Sequence, residues 1–250
     1  MVKLPNEIEA IRESCRIVAI VLSKIESYIK PGVTTGELDK IIEDVILSYD
    51  SIPAFKGYKV KGNEFPANAC ISVNEEVVHG IPGDRKLKEG DIVSIDVGVR
   101  KNLFYGDGAK TFAVGEIDSS KKKLLKVTQE SLRIGLQNAV DGNKINDVSI
   151  AIQEHVESEG FSVVRDLVGH GIGKNLHEDP PIPNFYNRGN KFKFKSGMTV
   201  AIEPMVNYGT YKVRVLDDKW TYVTQDGKPS AHFEHSVLIT EGEPEILTLI

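Results

Sequence analysis

Apolar residues recur at helical spacing near the start of the chain and again near its middle. Between residues 7 and 30 they fall on one helical face, which ends at a Pro-Gly pair typical of a helix end. A second helix is predicted to follow, with Thr35 as its N-cap. The same pattern returns after residue 120, where it predicts helices over about 121–140 and 146–159.

Each helix pair is followed by segments with strand character. The predicted strands lie near 70–78, 91–99, 104–114, 162–168, 198–207, 211–224 and 231–240, and the Gly/Pro-rich stretch 179–190 is predicted to form turns. The peptide KLKEGDIVSID, 86–96, aligns with KFKSGMTVAIE, 193–203, so that Asp96 and Glu203 coincide. We therefore predict a single α+β domain over 1–250 with two pseudo-symmetric halves, about 7–115 and 121–240.

Composition narrows the class of protein. A chain of 250 residues, 40% hydrophobic and 27% charged, is expected to fold around a full core. Its two cysteines, Cys15 and Cys70, exclude a disulfide scaffold and favour a reducing compartment. The longest apolar run near the N-terminus, 17–22, is too short to span a membrane, and no signal peptide is expected, so we predict a cytoplasmic protein. A net charge of -5 makes nucleic acid a poor candidate partner.

Carboxylates interrupt segments that otherwise have the pattern of buried strands. Asp96, Glu203 and Glu234 each lie within an apolar run, where a lone carboxylate is costly to desolvate. If the two strands 91–99 and 104–114 form a hairpin centred on residues 101 and 102, Asp96 lies directly opposite Asp107. Two carboxylates so placed repel each other unless one is protonated or a cation lies between them.

Histidines add a second kind of metal ligand. His79 and His170 are each followed by Gly-Ile at the end of an apolar stretch, and His177 follows His170 by seven residues. Two carboxylates on a hairpin, two more elsewhere and one imidazole form a ligand set without thiolate, suited to Mn, Fe, Co or Zn. This number of ligands favours a dinuclear site with bridging carboxylates. The other three histidines are interpreted as structural or surface groups: His155, His232 and His235.

Other catalytic motifs are not supported. His177-Glu178 lacks the second histidine of HExxH, the glycines near residue 171 do not have P-loop spacing, and no GxSxG sequence occurs.

The assembled motifs resemble the type I methionine aminopeptidases, metallopeptidases of the M24 family with the "pita-bread" fold, over essentially the whole chain. The matching stretches are NEEVVHGIP, GDIVSIDVG through FYGDGAKTF, VGHGIGKNLHEDP, MTVAIEPM and HFEHSVLIT. The resemblance implies a central, curved antiparallel sheet with helices on its outer face. It also implies removal of N-terminal methionine from nascent proteins and peptides, with a preference for small second residues.

The resemblance also implies a role for each matching residue. Two divalent ions (Co, Mn, Fe or Zn) would bind Asp96, Asp107, His170, Glu203 and Glu234, with Asp107 and Glu234 bridging. A water bridging the ions would attack the scissile carbonyl, with Glu203 as general base and His79 and His177 contacting the substrate. The partners would be the N-termini of nascent chains near the ribosome, and the protein would be a monomer.

By the same resemblance, five residues would form a methionine pocket: Tyr58, Phe65, Cys70, Leu176 and Trp220. Two departures from the family pattern affect this pocket. The segment 55–70 is a few residues longer than usual, and Leu176 stands where an aromatic residue is common.

Two other kinds of protein share part of this sequence pattern. A prolidase or X-prolyl aminopeptidase of the same fold would have similar metal ligands, but such enzymes usually carry an extra N-terminal domain, and His79 lies too early for one. A binding module that has lost catalysis would be expected to lack ligands, and all five, with both histidines, are present in this sequence.

Overall fold

Four α-helices form two consecutive pairs in the computed structural model, which describes residues 2–249. The helices are α1 (Pro5–Ile25), α2 (Thr35–Leu47), α3 (Ser119–Asn138) and α4 (Ile145–Ser158), with one 3₁₀ turn over Glu26–Tyr28. None of the helices within this described part is long and apolar enough to cross a membrane.

Side-chain caps define where the helices begin. Thr34, and not Thr35 as predicted, precedes α2: its hydroxyl accepts from the N–H of Glu37 at 3.1 Å, and the Glu37 carboxylate accepts from the N–H of Thr34 at 2.8 Å. This reciprocal pair is a capping box. Before α3, the Asp118 carboxylate accepts from the backbone of Ser120 and Lys121, so the helix starts two residues earlier than the sequence predicted.

The strands are more numerous than the sequence predicted, and most of them are shorter. They are β1 (Ile52–Pro53), β2 (Lys59–Val60), β3 (Asn63–Glu64), β4 (Cys70–Val73), β5 (Glu76–Val78), β6 (Ile92–Lys101), β7 (Phe104–Ala113), β8 (Ser162–Val163), β9 (Gly169–Gly171), β10 (Glu178–Ile182), β11 (Thr199–Ile202), β12 (Met205–Asn207), β13 (Val213–Val215), β14 (Tyr222–Thr224), β15 (Ser230–His232), β16 (His235–Leu238) and β17 (Glu245–Ile246). The prediction of turns throughout 179–190 is wrong at its start, because β10 occupies that part and pairs with β9.

Two main sheets carry the two helix pairs. The first contains β1, β6 and β4 in that order, with β7 also paired to β6, and the second has the order β10-β9-β11-β16-β17. Helices α1 and α2 pack over the first sheet around one apolar core, and α3 and α4 over the second around another. The residue preceding the second helix of each pair makes an isolated bridge: Thr34 with Lys86, and Lys144 with Lys193.

The two sheets meet through a small group of hydrogen bonds between β7 and the β15–β16 region. The N–H of Glu234 donates to the carbonyl of Ala109 at 2.9 Å. The Ser236 hydroxyl donates to the carbonyl of Asp107 at 2.7 Å and accepts from the N–H of Asp107 at 3.2 Å. These bonds fix the backbone of two acidic residues from distant parts of the chain against each other.

The register of the β6–β7 hairpin differs from the prediction by two residues. Asp96 pairs with Ala109, and Asp107 pairs with Gly98, so the turn centres on residues 102 and 103. The predicted direct pairing of the two aspartates is therefore wrong. A shift of two preserves the face of a strand because side chains alternate with a period of two, so the two carboxyl groups remain diagonal neighbours on one face.

Helix α1 crosses β7 at very close range. A Cβ atom on Gly106 would lie 2.5 Å from the backbone nitrogen of Cys15 and 2.7 Å from the backbone carbon of Ser14. Neither atom can move without displacing the helix. The absence of a side chain at Gly106 is therefore what allows α1 to pack directly on the strand that carries Asp107.

Substituting Gly106 with alanine is expected to destabilise the fold by about 3 kcal/mol or more, because the added methyl forces α1 away from β7. Chemical denaturation measures this difference. Gly242→Ala is the matched control, since a Cβ atom there meets nothing within 4 Å. Equal stability of the two variants would contradict the proposed close packing.

Candidate metal and active site

One cavity of about 280 Å³ gathers all twelve site residues that the sequence predicted. Its polar end is lined by His79, Asp96, Asp107, His170, His177, Glu203 and Glu234. Its apolar end is lined by Phe55, Tyr58, Phe65, Cys70, Leu176 and Trp220, and further lining comes from Val60, Val78, Leu167, Val168 and Met205. The cavity thus combines a cluster of ionisable groups with an apolar pocket.

The carboxylates reach the cavity from two kinds of backbone. Asp96 and Asp107 lie inside the long strands β6 and β7, as predicted. Glu203 and Glu234 do not lie inside strands, which corrects the prediction: Glu203 directly follows β11, and Glu234 lies between β15 and β16. The strand cannot simply continue after Glu203, because Pro204 has no N–H to donate to a ladder.

His170 has the form of a metal ligand. Its Nδ1 lies 2.9 Å from the carbonyl oxygen of Gly171, an atom that can only accept, so Nδ1 carries the proton. Nε2 then presents a lone pair, 3.5 Å from Oε1 of Glu203 and 3.9 Å from Oδ2 of Asp107. Burial lowers the pKa of His170 to about 3, which keeps the ring neutral. A backbone carbonyl that orients the ring in this way is the usual support of a metal-bound histidine.

Three side chains are already close enough to share one ion. Ligand atoms of Asp107, His170 and Glu234 all lie within 4.8 Å of one another, and all three residues are buried. Oδ1 of Asp96 and Oε1 of Glu234 are buried without a hydrogen-bond partner in the described part of the chain. Buried carboxylate oxygens without partners are costly, and a cation would satisfy them.

Electrostatics also favour a cation at this position. Burial raises the pKa of Asp107, Glu203 and Glu234 well above the ordinary range, and the neighbouring carboxylates raise each pKa further. Burial likewise raises the pKa of Asp96 to about 7. Oxygen ligands with one imidazole suit hard or borderline divalent ions, and such an ion would offset the repulsion among these groups. The residues present therefore fit a divalent metal.

His79 borders the cluster in a strained conformation. Its φ of 58° lies in the left-handed region, which is uncommon for residues other than glycine. Strain of this kind concentrates at functional sites. The ring makes edge contacts with Trp220 and Tyr222 at centroid distances of 6.5 and 5.8 Å, and desolvation lowers its pKa to about 4. His79 therefore offers a neutral imidazole at the junction of the polar and apolar ends.

His177 contacts both the cluster and the apolar pocket. Its ring centroid lies 4.3 Å from that of His170, and its Nδ1 lies 2.7 Å from the Tyr58 hydroxyl. Desolvation lowers the pKa of His177. The loop that carries it is tied to the N-terminal segment, because the Lys3 ammonium pairs with the Glu178 carboxylate.

The apolar end is a cluster of aromatic and small apolar side chains. Phe65 packs edge-on against Trp220 and Phe55, at centroid distances of 5.2 and 6.5 Å. Burial raises the pKa of Cys70 well above its usual value, so this residue is an uncharged thiol and contributes an apolar wall. Leu176 completes the same cluster.

Sequence reasoning missed one residue at the polar end. His232 is 1% exposed, so it is not a surface group, and its Nε2 lies 3.8 Å from Oε2 of Glu203. Neither ring nitrogen has a hydrogen-bond partner in the described structure. The available signal was its position two residues before Glu234, which is the spacing of side chains on one face of an extended segment.

Comparison with known proteins identifies the class of protein to which the chain belongs. The model for metallopeptidase family M24 matches residues 9–241. A methionine aminopeptidase of Clostridium acetobutylicum is 52% identical over 250 residues, covering 100% of this chain and 98% of that protein. Methionine aminopeptidase 1 of Bacillus subtilis is 52% identical, covering 99% of this chain and 98% of its own length.

Solved structures agree with these relatives. The crystal structure of methionine aminopeptidase from Thermotoga maritima has a TM-score of 0.96 and 46% identity, covering 100% of this chain and 99% of that one. Prolidase from Pyrococcus furiosus, at 22% identity and a TM-score of 0.80, covers 100% of this chain and 65% of its own, and shares the fold alone.

The chain belongs to metallopeptidase family M24. Within that family it groups with the methionine aminopeptidases, since full-length relatives of that name are about half identical to it. The fold is the α+β pita-bread fold predicted from the sequence. The buried Asp/His/Glu cluster is its divalent-metal-binding region.

The metal-free protein is expected to lose stability as the pH rises from 7 to 8.5, by about 0.4 kcal/mol through Asp96 and further through Asp107, Glu203 and Glu234, whose folded pKa values are also raised. Asp96 is ionised throughout this range in the unfolded chain, whereas its folded pKa is about 7, so the folded state binds more protons and stability falls as pH rises. The buried histidines are neutral in the folded state and oppose this trend by only about 0.2 kcal/mol each, because few of them are protonated in the unfolded chain above pH 7. Chemical denaturation at several pH values in chelator measures the slope.

Asp96→Asn is the matched variant for this measurement. It removes one repelling carboxylate, so its metal-free form should be more stable than the parent at pH 8.5 and show a shallower pH slope. Added Mn²⁺ should raise the melting temperature of the parent and have a much smaller effect on the variant. Identical pH profiles for the two proteins would disprove the carboxylate repulsion.

Proposed function

We propose that this protein removes the N-terminal methionine from nascent proteins and peptides, with a preference for small second residues. One observation carries the proposal: a single cavity joins a carboxylate and histidine cluster to an apolar pocket. The polar end suits hydrolysis of an amide, and the apolar end suits an unbranched thioether side chain. The full-length similarity to methionine aminopeptidases supports this assignment.

In this proposal the substrate spans the cavity. The methionine side chain packs against Phe65, Trp220 and Cys70 at the apolar end of the cavity. Its scissile amide then lies beside His79 and His177, at the boundary of the polar end. The free α-amine faces the carboxylates, which explains why only the first residue of a chain is removed.

Asp96, Asp107, His170, Glu203 and Glu234 would hold two divalent ions, with Asp107 and Glu234 bridging. When bound, such ions lower the pKa of water so that hydroxide is available near neutral pH. The hydrogen bond from Nδ1 of His170 to Gly171 keeps the Nε2 lone pair directed at the ions' position. Mn, Fe, Co and Zn all suit these ligands.

Protein side chains would accept the proton of the attacking water and donate hydrogen bonds to the substrate. Glu203, whose Oε1 lies 3.5 Å from Nε2 of His170, would take a proton from the attacking water and deliver it to the departing amine. The Tyr58 hydroxyl, by donating to Nδ1 of His177, would leave Nε2–H of His177 free to donate to the substrate carbonyl. His79 would contact the same amide from the other side.

The biological setting is part of the proposal. The substrates would be N-termini of nascent chains near the ribosome, and the protein would act as a cytoplasmic monomer. Size-exclusion chromatography with light scattering measures the oligomeric state directly.

Release of methionine from Met-Ala-Ser tests the proposed activity. Chelated protein is expected to be inactive, and separate addition of Mn, Fe, Co or Zn should restore methionine release to different extents, because hydroxide formation depends on the ion. The peptide Ala-Pro-Ser should remain uncleaved. Cleavage of Ala-Pro-Ser alone would assign the protein to the prolyl-specific branch, and inactivity with every metal would favour a binding module.

Glu203→Gln is expected to lower kcat about 10³-fold or more, since an amide cannot accept the proton of the attacking water. The fold should persist, because the variant removes one of several repelling buried carboxylates. Methionine release and thermal unfolding measure the two effects. Glu243→Gln, an exposed site, is the control, and near-parental activity of the Glu203 variant would exclude the base role.

A further inference from the structure

A two-stranded hairpin stands at the mouth of the cavity. In this mouth hairpin, residues 58–65, Lys59 pairs with Glu64 and Val60 with Asn63. Its turn residues Lys61 and Gly62 both have positive φ, 49° and 85°. Positive φ at both central residues is the mark of a type I′ turn, whose twist matches that of the flanking strands. The mouth hairpin is therefore a regular two-stranded element, and its strands have a defined orientation at the mouth of the cavity.

The base of the mouth hairpin is fixed at two points of the site. Phe65 is 2% exposed and packs on Trp220 at the methionine end of the cavity. Tyr58 places its hydroxyl 2.7 Å from Nδ1 of His177 at the amide end. The two ends of the hairpin are joined at this base, because the N–H of Phe65 donates to the carbonyl of Tyr58 at 2.8 Å.

Val60 lies further out on the side of the mouth hairpin that carries Tyr58, on the face that lines the cavity. Side chains at i and i+2 of a strand share a face, so Val60 lies on the face of Tyr58, and both line the cavity. The separation along the strand is about 6.6 Å. Val60 is 42% exposed, and it is an apolar side chain on a polar tip otherwise formed by Lys59, Lys61 and Asn63.

A substrate bound in an extended conformation would place its third residue near Val60. If the scissile amide lies at the level of His177 and Tyr58, as the proposed function places it, each further residue advances about 3.3 Å. The Cα atoms of the third and fourth residues then lie roughly 5 and 8 Å beyond the amide, one on each side of the level of Val60. In an extended chain the first and third side chains point to the same side. The methionine faces Phe65 of the mouth hairpin, so the third side chain faces this hairpin too.

We propose that Val60 is a specificity-determining residue that contacts the third residue of the substrate and favours an apolar side chain there. The inference deepens the proposed function and depends on it. It assigns to the mouth hairpin a binding role beyond the methionine pocket, and the effect falls on substrate affinity, because Val60 is remote from the carboxylate cluster.

Amidated peptides that differ only at the third residue test the proposal in the metal-loaded protein. Met-Ala-Leu-amide should be cleaved with a kcat/KM about fivefold above that of Met-Ala-Gly-amide, with the difference in KM. Val60→Ala should reduce this preference by about threefold, and Val60→Asp should abolish it. On Met-Ala-amide, which has no third residue, both variants should lose much less activity than they lose on Met-Ala-Leu-amide.

Lys59→Ala is the matched control, because its side chain lies on the opposite face of the same strand. It should retain the leucine preference of the parent. An unchanged leucine-to-glycine ratio in Val60→Asp, or an equal loss on Met-Ala-amide, would overturn the inference about Val60. Failure of the parent to release methionine from any of these peptides would instead overturn the proposed function.

Discussion

Several ionisable carboxylates share one small buried volume, and this constraint shapes the rest of the structure. Carboxylates without compensation cannot remain ionised there, and burial accordingly raises the pKa of each. The fold holds them in place by backbone hydrogen bonds, through Glu234 to Ala109 and through Ser236 to Asp107. Because these bonds link the two sheets, the backbone between them keeps the acids together even where their charges repel.

The site is built on a well-supported strand and is bordered elsewhere by turns and loops. Helix α1 lies directly on β7 at Gly106, so the strand that carries Asp107 is supported from behind. Elsewhere the cavity is bordered by turns and loops: the mouth hairpin, the turn at His79 with its positive φ, and the loop that carries His177. Groups proposed to hold metal are thus placed on strands or at strand ends, whereas groups proposed to contact substrate are mostly placed on turns and loops.

Much of the site could be predicted from local sequence signals. Asp96, Glu203 and Glu234 stand out because a carboxylate within an apolar run is costly, and that signal does not depend on strand register. Asp107 follows only from the predicted hairpin with Asp96. The predicted direct pairing of Asp96 and Asp107 failed, since the position of the turn is set by the left-handed residues Asn102 and Leu103, which propensities do not predict. The two carboxyl groups still share a face because the error was an even number of residues.

The sequence by itself determined the helix pairs, the strands rich in apolar residues and the identity of the acids and histidines, because each follows from periodicity or desolvation cost along a short stretch. The tertiary structure alone decided that Glu203 and Glu234 stand at breaks between strands and that His232 lies beside Glu203. It also decided that Lys3 supports the loop of His177 and that Val60 faces the cavity. These contacts join residues that are far apart in sequence. They depend on how the sheets and the mouth hairpin pack in space, and no local sequence pattern predicts them.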